Sequence, residues 1–124
     1  MKVNIKTTNI TLTDEIADYL KKHLISQIEK FVKPDDESAM LSIEIGRTTK
    51  HHQKGDIYRA EANFHMAGCD LRAEAERSAL FTAIDEVKYE ITRELMACKK
   101  KRFDLLRRGA RKFKNFLRDF RRGK

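Results

Sequence analysis

A chain of 124 residues that is 40% hydrophobic and 37% charged has the length of one domain and enough apolar residues for a modest core, which excludes wholesale disorder. Its formal charge of +8 is unevenly spread: residues 99–124 hold 13 of the 27 Lys and Arg against Asp104 and Asp119, whereas residues 1–98 hold 14 basic and 17 acidic residues. A tail of +11 on a body of −3 points to an anionic partner, nucleic acid or an anionic membrane.

The N-terminus, MKVNIKTTN, lacks the apolar run of a signal peptide, and no segment approaches the length of a membrane-spanning helix. A cytoplasmic protein is expected. Val3, Ile5 and Thr7 alternate with Asn4, Lys6 and Thr8, the period of a strand with one buried face. Thr13 followed by Asp14 and Glu15 suits a helix N-terminus. Ile16, Leu20, Leu24, Ile28 and Phe31 then form a helical stripe, and Pro34 with the acidic run Asp35, Asp36 and Glu37 ends it.

Leu41, Ile43 and Ile45 alternate up to Gly46, and the basic stretch RTTKHHQKGD (47–56) reads as a connection with a Gly-Asp turn signal. Tyr58, Ala60, Ala62, Phe64 and Met66 share one face of the next strand, with Arg59, Glu61, Asn63 and His65 on the other. Gly68 marks a tight turn into Leu71, Ala73 and Ala75. From Ser78 the period becomes helical, through Leu80, Ile84, Val87, Ile91, Leu95 and Cys98. The predicted order is β-α-β-β-β-α. The crossover helix makes the first two strands parallel, and short connections make the rest an antiparallel meander.

The tail is patterned as well. Phe103, Leu106, Ala110, Phe113, Leu117 and Phe120 fall in one half of a helical wheel with Phe116 near its border, and Arg107, Arg108, Arg111, Lys114, Arg118 and Arg122 fall in the other half. This predicts a basic amphipathic helix with a bend or break at Gly109. The domain organisation expected is a body over 1–101 and a C-terminal extension over 102–124.

No catalytic constellation is present. The five glycines are scattered and no serine stands in a nucleophile-elbow setting. His51 and His52 have no further ligand at metal-site spacing, so a solvated loop is expected and no metal or cofactor is implied. His23 is expected to pack beside the core, His65 to face the polar side of its strand, and Asp85 to make a structural hydrogen bond. Cys69 and Cys98 have no CxxC spacing and are expected as reduced thiols. The chain is expected not to be an enzyme.

The order of elements, with LRAEAERSALFTAID at 71–85 and ELMACKKK at 94–101, resembles the bacterial ribosome hibernation-promoting factors, the sigma-54 modulation protein-like inhibitors of translation. Phe81 stands where that family commonly has Tyr, and Ala83, Ile84 and Asp85 match directly. Val3, Ile5, Thr13, Tyr19, Lys22, Leu24 and Phe31 fit the first strand and helix. Family members tend to be basic where this chain has Glu90 and Ala97, whereas Arg93 and Lys101 match basic positions. The resemblance spans about residues 1–101 and suits a short form.

It implies an α+β, double-stranded-RNA-binding-domain-like fold, a four-stranded sheet with two helices on one face, here followed by the amphipathic arm. It also implies a body that occupies the decoding region of the small ribosomal subunit, obstructs messenger and transfer RNA and keeps idle ribosomes silent under stress. Lys22, Arg47, Lys50, Lys54, Arg59, Lys88 and Arg93 on the body would then meet ribosomal RNA. So would Lys99, Lys100, Lys101 and Arg102, and on the arm Arg107, Arg108, Arg111, Lys112, Lys114, Arg118, Arg121 and Arg122. The arm's apolar face (Phe103, Leu106, Phe113, Phe116, Leu117, Phe120) would bury against a ribosomal protein, unstacked bases or the body itself. The free protein is expected to be monomeric. Two other readings are a peripheral membrane protein held by the arm, for which the body offers no rationale, and a stand-alone double-stranded RNA-binding module.

Overall fold

The computed structural model of the chain describes residues 1–48 and 55–122, with side chains described as far as residue 118. Four strands, β1 (Lys2–Thr8), β2 (Met40–Thr48), β3 (Ile57–Met66) and β4 (Cys69–Arg77), form one sheet in sequential order. β1 pairs with β2 in parallel, from Lys2 opposite Met40 to Thr8 opposite Gly46, and β2–β3 and β3–β4 are antiparallel. The crossover between β1 and β2 is helical, as the parallel pair requires.

That crossover begins as α1 (Asp14–Tyr19), passes through a π-helical turn at Leu20–Ile25 and finishes as α2 (Ser26–Glu29). Thr13 caps it: the Ile16 N–H donates to the Thr13 hydroxyl at 3.2 Å. The π turn explains a feature of the sequence. Apolar residues that recur every four positions drift by about 40° per step on a helix of 3.6 residues per turn. The wider turn, in which the Ser26 N–H donates to the Lys21 carbonyl, offsets that drift, and Leu20, Leu24 and Ile28 all remain buried.

The last element, α3 (Leu80–Arg122), is a single helix of 43 residues. Gly109, the expected bend or break, lies within it; one glycine costs only about 1 kcal/mol against alanine, and its neighbours are good helix formers. Both helical elements cover one face of the sheet. Leu20, Leu24 and Ile28 from the crossover and Ile84, Val87, Ile91 and Leu95 from α3 close over Leu41, Ile43, Ile45, Ala60, Ala62, Phe64 and Ala73. Val3 remains 38% exposed because β1 is an edge strand. Gly46 allows β1 to approach, since a Cβ there would sit 3.1 Å from the Thr8 carbonyl oxygen.

The expectation of two reduced thiols is corrected: Cys69 and Cys98 are joined by a disulfide, with a Cα–Cα separation of 6.2 Å. The cause is the β3–β4 turn. Gly68 adopts φ +83°, and the chain re-enters the sheet with Cys69 directly beneath the point where α3 leaves the body.

Candidate nucleic-acid interface

The expected RNA-binding cations do not converge on one patch. Arg47 lies at the end of β2, 3.8 Å from Asp56 across the β2–β3 connection, and Lys50 and Lys54 of that connection lie outside the described residues. Lys99 to Arg102 lie at the opposite end of the body, beside the Gly68 turn. The nine residue steps of β3 between these ends correspond to about 30 Å.

The second group is continuous with the arm. Lys99, Lys100, Lys101 and Arg102 are exposed, the Lys99 ammonium lying 5.9 Å from the centre of the Phe31 ring. Residues 103–118 are exposed except Asp104, which is half-buried. Arg107, Arg108, Arg111, Lys112, Lys114 and Arg118 therefore all reach solvent, and Arg107 packs over Phe103 at 5.6 Å. Phe103, Leu106 and Phe113 are 59%, 71% and 64% exposed. Secondary structure does not change at residue 102; what changes is that the helix no longer has a sheet beneath it. The side chains of Phe120, Arg121 and Arg122 lie outside the described residues.

The remaining predicted cations stand apart. Lys22 is exposed on the π turn, Lys88 lies 4.5 Å over the Tyr89 ring, and Arg93 is exposed on the solvent side of α3 beside Tyr89 and Met96. Arg59 is held on the open face of the sheet, 2.8 Å from Glu61 and 2.6 Å from Glu74. Arg72 joins the same cluster at 2.9 Å from Glu61 and 3.2 Å from Glu74, and the Asn63 amide donates to Glu61 at 3.0 Å. Burial would push the Glu61 carboxyl up, but the Asn63 amide and the two guanidinium groups outweigh it and hold the carboxyl below its ordinary value. This cluster escaped sequence reasoning. Alternation on β3 puts Arg59 and Glu61 on one face, but only the register with β4 brings Arg72 and Glu74 alongside. Any anion approaching Arg59 must compete with two carboxylates already in place.

The expectations for Asp85 and His65 hold. The Tyr19 hydroxyl donates to Asp85 at 2.6 Å, tying the crossover helix to α3, and the Tyr19 ring stacks on Phe81 with centroids 4.2 Å apart. His65 faces the polar side, paired with Asp70, whereas His23 rests its ring on Tyr19 with centroids 4.3 Å apart but is itself exposed and does not pack into the core. No group of three or more metal-ligating side chains occurs among the described residues.

Comparison with known proteins bears on the family and on the fold of the body. The family described as Sigma 54 modulation protein / S30EA ribosomal protein matches residues 3–102, the body up to the point where α3 leaves it. A ribosome hibernation promoting factor of Azotobacter vinelandii is 26% identical over 104 residues, covering 84% of this chain and 88% of the relative. A ribosome hibernation promotion factor of Picosynechococcus sp. is 29% identical over 104 residues, 83% of this chain but only 51% of that longer protein. Among solved structures, the N-terminal domain of Thermus thermophilus Protein Y superposes with a TM-score of 0.58 at 21% identity, covering 77% of this chain and 96% of that one. A ribosomal subunit interface protein from Coxiella burnetii gives a TM-score of 0.61 at 12% identity, covering 81% and 99%. The body's sequence and its four-stranded, helix-covered sheet thus lead to one conclusion: the chain belongs to the Sigma 54 modulation protein / S30EA ribosomal protein family.

Proposed function

We propose that this protein is a ribosome hibernation factor that binds the small subunit in the decoding region and silences translation by blocking the path of messenger and transfer RNA. The observation that carries the reading is the family match over residues 3–102, which ends where the folded body ends. The physical character of the chain supports it. The body offers shape, not chemistry: a closed core, no metal-ligand cluster among the described residues, and surface arginines already paired with carboxylates. A body carrying −3 gains little from phosphates by itself, and the cations of residues 99–124 supply the attraction. Shape plus phosphate contacts is the mode by which structured RNA is bound without base reading. The body thus obstructs the channel, while Lys99 to Arg102 and the arm anchor it on ribosomal RNA.

The test is addition of the purified chain to a cell-free translation extract, with sedimentation of the same mixture. The protein is expected to travel with small subunits and protein synthesis to fall as it is added. Undiminished synthesis with the subunits saturated would reject the reading.

A further inference from the structure

We propose that α3 beyond Arg102 is also an interfacial helix that lies in the surface of an anionic lipid bilayer. The proposal goes beyond hibernation and does not depend on it. It rests on the two-sided surface of residues 103–118, which project past the sheet. On one side Phe103, Leu106, Phe113 and Leu117 are 59%, 71%, 64% and 41% exposed. At 100° per residue these four fall within about 80° of arc, and the exposed Leu105 and Phe116 widen the apolar side to about 160°, nearly half the helix. The opposite side carries only cations and amides apart from Asp104 and Asp119.

Charge and width choose the occupant. A polyphosphate backbone satisfies the cations but leaves the phenylalanines in water. A second copy of the same helix would bring Arg107 and Lys114, which border the apolar stripe, against their own kind, and a helix-pairing seam is narrower than this face. A bilayer containing anionic lipid takes both sides at once: rings enter the headgroup–acyl boundary while Lys and Arg remain among the phosphates. Among the described residues no helix is long and apolar enough to cross a membrane, so the arm lies on the surface.

The experiment uses the full chain with phosphatidylcholine vesicles, with and without phosphatidylglycerol, in a flotation assay. Binding should be roughly tenfold or more stronger to the anionic vesicles. The triple variant F103S/L106S/F113S, whose changes lie on an exposed helix and keep every cation, should lose roughly tenfold or more of that binding. Because the chain has no tryptophan, Phe113→Trp provides a single reporter. Its emission should shift to the blue on anionic vesicles and be quenched by lipids brominated on the acyl chain. Equal binding by the triple variant would mean mere electrostatic adsorption and would overturn the proposal, as would an unshifted emission from the Phe113→Trp variant. Absence of vesicle binding together with a concentration-dependent dimer that the triple variant abolishes would assign the stripe to a second copy instead. Ribosome sedimentation of the same samples keeps this outcome separate from the hibernation reading.

Discussion

Arg107, Arg111, Lys114 and Arg118 recur at intervals of four, three and four residues, which places them within about 60° of one another around α3. The eleven residue steps from the first to the last rise about 16 Å along the axis, so the four form one cationic ridge rather than a diffuse cloud. All four are exposed. Replacing them together with Gln removes four charges and preserves helix-forming side chains. If each meets a ribosomal phosphate, the slope of log affinity against log salt should become shallower by about 3, at roughly 0.7–0.9 per contact. At about 0.1 M salt that corresponds to a loss on the order of 10³-fold in affinity. Pelleting with small subunits across a salt series measures both quantities. An unchanged slope would show that this ridge does not face RNA, and the anchoring role of the arm would be refuted whatever the body does.

Cys98→Ser, or reduction of the native chain, opens a link across a sequence separation of 29; loop-closure entropy predicts a loss of about 3.6 kcal/mol, read as a lower urea midpoint. Equal midpoints with and without reductant would show that the bridge does not contribute. Tyr19→Phe removes the bond to Asp85 and should cost about 1–2 kcal/mol, since the pair is only partly buried. The hydrogen bond to Asp85, then burial and the Asp85 charge, push the Tyr19 hydroxyl from 10.0 up to about 12. Its stabilisation should therefore be complete below pH 10 and vanish as the pH rises through about 12, with one late-ionising tyrosine in the ultraviolet titration that Tyr19→Phe abolishes. Glu61→Gln leaves Arg59 and Arg72 without their shared, nearly buried carboxylate. Because that carboxyl is held below its ordinary 4.5, the wild type should lose this stabilisation as the pH falls below 4.5, and the variant's acid-unfolding curve should be flatter there.

The strand and helix order was legible because the apolar periods change cleanly: two along β1 to β4, three to four from Leu80 onward. The parallel β1–β2 pair followed from the helix between them. What escaped depended on contacts distant in sequence. Cys69 and Cys98 carry no local motif, and only the Gly68 turn brings them to bonding distance. The Arg59–Glu61–Arg72–Glu74 cluster needs the β3–β4 register, which no single strand encodes. The π turn was hidden in the repeated spacing of four between Leu20, Leu24 and Ile28, where an ordinary helix would rotate the stripe away. Within the candidate interface, the tail's excess of cations and its amphipathic spacing were visible directly. Its separation from the Arg47 end of the body was not, because that follows from α3 running antiparallel to β4: Arg77 at the end of β4 pairs with Glu86 near the helix start, and Cys69 at its beginning pairs with Cys98.

The proposed function places the body in the messenger- and transfer-RNA path of the small subunit. Chemical probing of the ribosomal RNA in small subunits saturated with the full chain addresses this most directly. New protections are expected in the decoding region, together with reduced binding of transfer RNA to the same particles. Saturation that leaves the decoding region as reactive as in free subunits, with transfer RNA bound at its normal level, would contradict it.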